Sequence, residues 1–206
     1  MEMTFRWYGD NDPVTLEYIK QIPVIKGIVS ALYDVPIGEI WSLDKLKILK
    51  DKIENAGLRF SVIESIPVHE DIKLGRPTRD KLIENYCESI RNMGSLGIRI
   101  LCYNFMVVFD WTRSDLEKKN IDGSTSLSYD HEQLKYVDLN KDNLELPGWS
   151  TSYTKDQLHS LLEAYSSIDS EQLWLNLEYF LNKIVPVAEE SGVLMAIHPD
   201  DPPWSI

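Results

Sequence analysis

The chain has 206 residues, of which 43% are hydrophobic, and it carries a formal net charge of −12 at pH 7. This length suits one domain or a part of a larger one, and the hydrophobic fraction is sufficient for a packed core. The negative charge argues against a general binder of nucleic acid or of anionic membranes. The two cysteines, Cys87 and Cys102, have neither metal-knuckle spacing nor the spacing of a disulfide framework. We find no apolar run of about 18 residues and no signal peptide, and therefore predict a soluble cytoplasmic protein.

Hydrophobic patterns in the first half of the chain predict four strands that alternate with helices. Asp12 and Pro13 are suited to begin the first helix. Gly57 is suited to end the second helix, and Thr78 is suited to cap the third. This alternation predicts parallel strands joined by right-handed crossovers. The predicted strands are residues 3–8, 27–33, 58–64 and 98–103.

The pattern is less regular in two connections between these elements. Residues 65–77 are predicted to form a loop. A longer stretch, about residues 105–152, carries no strong period and is too long for a simple loop in a compact domain. We interpret the longer stretch as an insertion after the fourth strand.

Two helices and a fifth strand are predicted to follow the insertion. Thr154 begins a capping box, and Ser170 begins a longer helix in which Pro186 is expected to cause a bend or a local opening. Gly192 ends this helix. The apolar run Val193 to Ile197 then predicts a buried strand.

The number of strands favours one fold class. Five strands of this type fit the first five-eighths of a (β/α)8 TIM barrel, whose active sites lie on loops at the carboxyl ends of the strands. An open doubly wound sheet is the alternative, and its ligands would lie at the same ends. No glycine-rich phosphate signature follows any strand, so no nucleotide cofactor is predicted. The candidate residues at these ends are Arg6, Tyr8, Asp34, Glu64, His69, Asn104, Asp110 to Arg113, and His198.

His198 is the candidate metal ligand. It follows the predicted fifth strand, on the same side as Leu194 and Ala196, and two carboxylates, Asp200 and Asp201, come next. An imidazole in this position can bind a metal ion, and nearby carboxylates can orient the ring or share the ion. The alternative is a hydrogen-bonded histidine before a solvated turn, and on chemistry alone the residues favour this alternative.

Three other candidates lie at the ends of the first and fourth strands or in the loop after the third. Arg6 inside a barrel needs an anion, and a substrate carboxylate and Glu64 are equally suitable. Asn104 suits a contact with a substrate hydroxyl. His69 either contacts substrate or lies on the surface beside Glu70 and Asp71.

The predicted insertion contributes two candidates. Trp111 and Arg113 could cover a sugar acid as a lid, and an aromatic loop anchor is the simpler role for Trp111. We interpret His131 and His159 as solvated, and Cys102 as a small inward-facing apolar residue rather than a ligand.

Four runs of the sequence resemble one known family, the metal-dependent mannonate dehydratases, which have a xylose-isomerase-like barrel. They lie in order across nearly the whole chain, with one departure at Val107, where a proline is expected. The runs are Met3-Thr-Phe-Arg-Trp-Tyr-Gly9, Val62-Ile-Glu-Ser-Ile-Pro-Val-His-Glu-Asp-Ile-Lys-Leu-Gly75, Cys102-Tyr-Asn-Phe-Met-Val-Val-Phe-Asp-Trp-Thr-Arg113 and Met195-Ala-Ile-His-Pro-Asp-Asp-Pro-Pro-Trp204.

The resemblance implies a hydro-lyase of glucuronate catabolism that binds Mn²⁺ or Fe²⁺. It implies conversion of D-mannonate to 2-keto-3-deoxy-D-gluconate and water, a reaction in which a divalent cation stabilises the charge that develops next to the carboxylate. His198 matches the first metal-ligating histidine of the family. Arg6, Tyr8, Glu64, His69, Asn104, Trp111 and Arg113 are the residues that we expect to bind the sugar acid.

The end of the chain differs from the family pattern. Family chains are longer, and Ile206 falls in the loop after the fifth strand, so residues 1–206 are expected to be the N-terminal portion of a single barrel domain. The other metal ligands and the acid and base are expected beyond Ile206, so no catalytic residue is assigned. We expect the intact protein to be a homo-oligomer, a dimer, and the 206 residues alone to be inactive. An aldose isomerase or epimerase on the same barrel, and a truncated chain that serves only in binding or assembly, are the alternatives.

Overall fold

The computed structural model describes residues 2–107, 113–134 and 155–201. They belong to two compact units, and each unit is described by itself. The first contains residues 1–105 and 171–198, and the second contains residues 106–170 and 199–206. In the described part of the chain the strands are β1 (Met3–Arg6), β2 (Ile25–Ser30), β3 (Arg59–Glu64), β4 (Ile100–Tyr103), β5 (Asp115–Lys119), β6 (Thr125–Ser128) and β7 (Leu194–Ile197). The helices are α1 (Leu16–Lys20), α2 (Leu43–Asn55), α3 (Glu70–Lys73), α4 (Arg79–Ser95), α5 (His131–Leu134), α6 (Lys155–Tyr165) and α7 (Ser170–Glu190).

The first unit is a mixed α/β structure around a parallel sheet. Its strand order is β1-β2-β3-β4-β7, and every neighbouring pair in this sheet is parallel. This arrangement confirms the predicted alternation of strands and helices. Because all five strands run the same way, their carboxyl ends lie at one edge of the sheet, which is where candidate side chains were expected.

The two faces of the sheet differ in burial. Ile28, Ile63 and Leu101 are fully buried and belong to one core cluster with helix residues such as Ile53 and Ile184. The opposite face carries half-buried residues, and the strand register aligns them. Arg6 lies opposite Val29, Val29 opposite Val62, and Glu64 opposite Cys102. Polar side chains therefore lie on the face that the core cluster leaves uncovered.

Strand β7 was predicted to be buried, and this prediction is wrong for most of its residues. Leu194 is 69% exposed and Ile197 is 52% exposed, although both are large apolar residues. The cause is position, because β7 pairs with β4 on one side and no other described strand pairs with it. An apolar run predicts a strand, but its burial depends on which neighbours cover it.

Two helix caps differ from the prediction. The N-cap of α1 is Thr15, whose hydroxyl accepts a hydrogen bond from the N–H of Tyr18. Asp12 instead accepts hydrogen bonds from the N–H groups of Tyr8 and Val14 and so closes the turn before the helix. Thr78 makes no side-chain cap bond to α4. Its hydroxyl donates to the carboxylate of Asp71 instead.

Two other features concern helix ends and continuity. Gly57 follows α2 with a φ of +83°, which confirms its predicted place after the helix, because glycine adopts this conformation without steric cost. The helix α7 runs through Pro186 as one element. The bend or local opening expected at this proline stays a prediction. Among the described residues, no helix combines the length and the apolar composition needed to cross a membrane.

The described part of the second unit contains an antiparallel hairpin that was not predicted. β5 pairs with β6, and the turn between them includes Gly123 with a φ of +83°. The side chains of β5 are all exposed, which explains the absence of the alternation that normally marks a strand. The predicted capping box at Thr154 lies outside the described residues, whereas α6 confirms the helix predicted there. The extent of an insertion at about residues 105–152 stays a prediction.

Candidate functional site

Arg6 and Glu64 form an ion pair at the carboxyl ends of β1 and β3. Arg6 Nη1 lies 2.9 Å from Glu64 Oε2, and the two side chains are 30% and 23% exposed. Strand β2 lies between these two strands, so the arginine reaches across it on the half-buried face. A substrate carboxylate and Glu64 were the two anions considered for Arg6, and in this structure Arg6 pairs with Glu64.

Two tyrosines surround the guanidinium of Arg6. It lies 5.0 Å from the centre of the Tyr8 ring, a cation–π distance. Burial lowers the pKa of Arg6, but Tyr33 and Glu64 outweigh this effect and raise the pKa above its ordinary value. Arg6 Nε is buried and has no hydrogen-bond partner. The group is therefore a permanent cation with one unsatisfied donor.

Tyr33 is a site residue that the sequence reasoning missed. It is 52% exposed, Tyr8 is 60% exposed, and their ring centroids are 6.2 Å apart. Tyr33 comes three residues after the last residue of β2, as Tyr8 comes two residues after β1. That shared position after neighbouring parallel strands is the signal that could have identified it. Asp34, which was also a candidate, pairs with Lys45 on the surface at 2.7 Å.

Cys102 lies beside this pair, opposite Glu64 in the register of β3 and β4. Burial raises the pKa of the Cys102 thiol, Glu64 raises it further, and Arg6 opposes them. A raised pKa keeps the thiol protonated at neutral pH. The interpretation of Cys102 as a small inward-facing apolar residue stays a prediction.

The connection after β3 is more ordered than the predicted loop, because it contains α3. His69 is the N-cap of α3, and its Nδ1 accepts a hydrogen bond from the N–H of Asp71 at 3.0 Å. The carboxylate of Asp71 accepts hydrogen bonds from Arg76 and Thr78. These contacts place His69 at a fixed position after the third strand.

The same connection is attached to α7 through a buried polar group. Lys73 Nζ lies 2.7 Å from Glu70 Oε1, and the lysine side chain is only 6% exposed. Asn176, which is buried, donates a hydrogen bond of 2.7 Å to the carbonyl of Lys73. Burial of a lysine is costly unless it is paired, so the pairing with Glu70 is what permits it.

The remaining candidates follow β4 and β7. Asn104 is half-buried directly after β4. The N–H of His198 donates to the carbonyl of Tyr103 at 2.7 Å, which continues the pairing of β7 with β4, and the residue is half-buried. In the second unit, Arg113 donates two hydrogen bonds to the carboxylate of Asp201, at 3.0 and 2.7 Å. Trp111 lies outside the described residues.

Sequence comparison identifies the family of the chain. The whole chain, residues 1–206, matches the family model described as D-mannonate dehydratase (UxuA). The chain belongs to this family. Mannonate dehydratases of Streptococcus uberis and Oceanobacillus iheyensis are each 58% identical to it over all 206 residues, and one of Streptococcus agalactiae serotype V is 59% identical.

Structural comparison agrees with this assignment. The crystal structure of mannonate dehydratase from Streptococcus suis serotype 2 is similar over all of this chain, with a TM-score of 0.89 and 55% sequence identity. The chain spans 59% of the length of these curated relatives and 55% of the chain in the Streptococcus suis structure.

The resemblance to metal-dependent dehydratases implies a divalent metal ion, which needs several His, Cys, Asp or Glu side chains placed around one point. In residues 2–107, 113–134 and 155–201, no group of three or more His, Cys, Asp or Glu side chains is placed to hold a metal ion. His198 offers one imidazole, whereas a protein metal site typically has about three or four protein ligands. The described residues therefore do not form a complete metal site. His131 and His159 are exposed, as predicted.

Proposed function

We propose that this chain forms part of a mannonate dehydratase, a hydro-lyase that converts D-mannonate to 2-keto-3-deoxy-D-gluconate and water in glucuronate catabolism. The observation that carries the proposal is the identity of 58–59% with mannonate dehydratases over the whole chain. The match covers all 206 residues of the chain, so it includes every strand that the structure describes. The expected cytoplasmic location and homodimer belong to the same proposal.

The fold proposed for the whole protein is a TIM barrel of the xylose-isomerase-like type. The support is the strand order of the parallel sheet, β1-β2-β3-β4-β7. Each strand of this sheet pairs with the strand of the same sheet that follows it in the sequence. The exposed apolar side chains of β7, such as Leu194, also need a covering partner. We propose that residues 1–206 supply the first five strands of this barrel.

Within such an enzyme, the residues at the strand ends have separate tasks. Glu64 uses Oε2 for Arg6 and presents Oε1 to a hydroxyl of the substrate. The exposed rings of Tyr8 and Tyr33 lie 6.2 Å apart, and the Tyr8 ring lies beside the guanidinium that pairs with this carboxylate. His69, Asn104, Trp111 and Arg113 also belong to the proposed set of binding residues. The acid and the base are not among the residues assigned in this chain.

Mn²⁺ or Fe²⁺ is the proposed cofactor, and His198 is proposed as one of its ligands. The support is the match of His198 to the ligating histidine of the family motif and its half-buried position at the end of β7. A neutral imidazole suits several divalent metals, so the ligand type does not select between the two.

The test is to incubate the full-length protein with Mn²⁺ and D-mannonate and to measure formation of the 2-keto product. D-xylose and D-glucose, tested in parallel, represent the isomerase alternative. Turnover of D-mannonate alone is the expected result. Isomerisation of an aldose without any change in D-mannonate would favour an isomerase, and binding without turnover of any of them would favour an assembly role.

A second measurement tests the role of the ion pair. Arg6→Ala should raise the KM for D-mannonate and lower the melting temperature, because Glu64 then loses the cation that orients it. Arg6→Lys keeps the charge but not the forked geometry, so it should restore the melting temperature more than the KM. A normal KM in both variants would mean that the pair is only structural.

A further inference from the structure

The ring of Tyr33 lies against the turn that follows β1. This turn is closed by Asp12, whose carboxylate accepts a hydrogen bond of 2.8 Å from the N–H of Tyr8. A Cβ atom placed on Gly9 would lie 3.5 Å from Cδ2 of Tyr33, so the ring packs on the backbone of this glycine. The centroids of the Tyr33 and Tyr8 rings are 6.2 Å apart. Two consecutive residues of the turn therefore support the ring of Tyr33.

The hydroxyl of Tyr33 meets the carbonyl of Trp7. Tyr33 donates to this carbonyl in a long hydrogen bond of 3.4 Å, and the hydroxyl of Ser30 donates to it at 2.7 Å. The peptide unit of Trp7 is fixed by the sheet, since its N–H donates to the carbonyl of Val29 at 2.9 Å. A phenol has a single proton, and its oxygen can also accept. With that proton directed at Trp7, the oxygen of Tyr33 is left as an acceptor.

Arg6 is the cation beside this acceptor. Burial lowers the pKa of Arg6, whereas Tyr33 and Glu64 raise it above its ordinary value, as groups close to the guanidinium do. The guanidinium also lies 5.0 Å from the centre of the Tyr8 ring and 2.9 Å from Glu64 Oε2. A planar guanidinium presents its donors in a rigid fork, so its orientation decides which partners it reaches.

The orientation of Arg6 is passed on to Glu64. Their contact is made by one guanidinium nitrogen, Nη1, and the two side chains are 30% and 23% exposed. An ion pair that water can reach is weak unless its geometry is held by other contacts. A rotated guanidinium would release the carboxylate to water. The position of the Glu64 carboxylate therefore depends on the groups that hold Arg6.

We propose that Tyr33 is a positioning residue, whose hydroxyl holds the guanidinium of Arg6, and through it the carboxylate of Glu64, in the orientation that receives the sugar acid. This inference rests on the proposed function and deepens it, because Tyr33 was not among the residues expected to bind the substrate. Tyr33 acts through Arg6 and not on the reacting atoms, so its hydroxyl contributes to substrate binding and not to the chemical step.

Removal of the hydroxyl alone is the first test. Tyr33→Phe keeps the ring that packs on Gly9 and should raise the KM for D-mannonate about fivefold, with kcat changed by less than about twofold. Tyr18→Phe is the matched control, because Tyr18 lies on α1 and is 61% exposed, against 52% for Tyr33. The control should leave KM and kcat as in wild type. An unchanged KM in Tyr33→Phe would overturn the inference.

A double-mutant cycle tests whether Tyr33 acts through Arg6. In the Arg6→Ala background, Tyr33→Phe should change the KM by less than about twofold, because the group that the hydroxyl positions is no longer present. The same fivefold rise in both backgrounds would mean that Tyr33 affects the substrate independently of Arg6. That result would also overturn the inference.

The hold on the guanidinium can be measured without reference to activity. In full-length protein labelled with ¹⁵N-arginine, a guanidinium that rotates slowly about its Nε–Cζ bond gives two separate Nη resonances, and a freely rotating one gives a single averaged resonance. The Arg6 resonances are those that disappear in Arg6→Lys. We expect two resonances in wild type and in Tyr18→Phe, and one in Tyr33→Phe. A single resonance in wild type, or two that persist in Tyr33→Phe, would refute the positioning role.

The failures of the two proposals are distinguishable. A wild-type protein that leaves D-mannonate unchanged overturns the proposed function, whereas the Nη resonances still report whether Tyr33 holds Arg6. An active enzyme whose KM and Nη resonances do not respond to Tyr33→Phe overturns this inference alone.

Discussion

Two connections that follow neighbouring strands differ in how they are held. The segment after β3, residues 65–78, buries Ile66, Val68 and Ile72, which are 2–4% exposed. The described segment after β4, residues 113–134, consists of a hairpin whose apolar residues are largely exposed, including Leu127 at 59%. Neither stretch shows a regular hydrophobic period. Periodicity therefore indicates which residues form regular elements but not which connections are rigid.

The polar contacts of the segment after β3 reach further along the chain than those of the turn between β5 and β6. In the segment after β3, Asn176 of α7 donates to the main chain, so contacts reach a distant element. Within the hairpin, Asn120 and Asp122 bond to Ser124, which is two to four residues away. Local bonds stabilise a turn, whereas contacts to distant elements fix a connection in place. The candidate residue His69 lies in the segment after β3, which is held by contacts to a distant element.

The largest expected difference concerns one apolar side chain in each segment, buried Ile72 and exposed Leu127. Ile72→Ala should destabilise the full-length protein by about 2–5 kcal/mol, because it leaves a cavity under α3. Leu127→Ala, the matched change in the hairpin, should alter stability by less than about 0.5 kcal/mol. Urea unfolding followed by circular dichroism measures both variants. Equal losses would mean that the hairpin is covered by other parts of the protein.

A pair of glycines tests the same difference at the backbone. Gly75 and Gly123 both have positive φ, +68° and +83°, so alanine is strained at either site. A Cβ at Gly75 would also lie 2.8 Å from Asn176 Oδ1, whereas nothing lies within 4 Å of one at Gly123. We expect Gly123→Ala to cost about 1 kcal/mol and Gly75→Ala about 1 kcal/mol more. Similar melting temperatures for the two variants would contradict the role given to Asn176.

Among the described residues of the second unit, the pair Arg113 and Asp201 joins residues that are far apart in the sequence. Nη1 and Nη2 of Arg113 each donate a hydrogen bond to the Asp201 carboxylate. The side chains of Arg113 and Asp201 are 13% and 33% exposed. A double-mutant cycle with Arg113→Ala and Asp201→Ala should give a coupling energy of about 1 kcal/mol. The cycle is measured by urea unfolding in low and high salt. A coupling near zero would remove this pair as a fixed point of the unit.

Sequence patterns predicted the regular elements of the first unit for a physical reason. Strands that pack on one face show alternating apolar and polar residues, and helices such as α2 show a stripe of apolar residues on one side. A glycine with positive φ, here Gly57, follows the end of α2. The hairpin was missed because both of its faces are polar. The pair Asp122–Gly123 was the available signal, since this dipeptide favours tight turns between strands.

The site was predicted less completely than the fold. Arg6 and Glu64 were both expected at the carboxyl ends of strands, with their pairing as one of two alternatives. The pairing depends on the register of β2, which shifts between Ile28 and Val29. The exposure of β7 depends on neighbours that a local pattern does not contain. The cap at His69 was missed because histidine is an uncommon N-cap and α3 has only four residues.

The smallest expected effect compares two aspartates by their dependence on pH. Burial would raise the pKa of Asp71, but the hydrogen bonds from Thr78 and Arg76 outweigh it and hold the pKa below its ordinary value. In the hairpin, the Ser124 hydroxyl and backbone lower the pKa of Asp122. A carboxyl group with a depressed pKa stabilises the folded state above the unfolded pKa of about 4, and this contribution is lost as the pH falls through the folded pKa.

Asp71→Asn should therefore lower the stability by about 1 kcal/mol at pH 7, and the difference from wild type should shrink as the pH falls from about 5 to about 2. Asp122→Asn, in a fully solvated turn, should give a curve of stability against pH that nearly overlays that of wild type. Urea midpoints across this range measure both variants. Parallel curves for wild type and Asp71→Asn at every pH would mean that the carboxylate charge does not stabilise this segment.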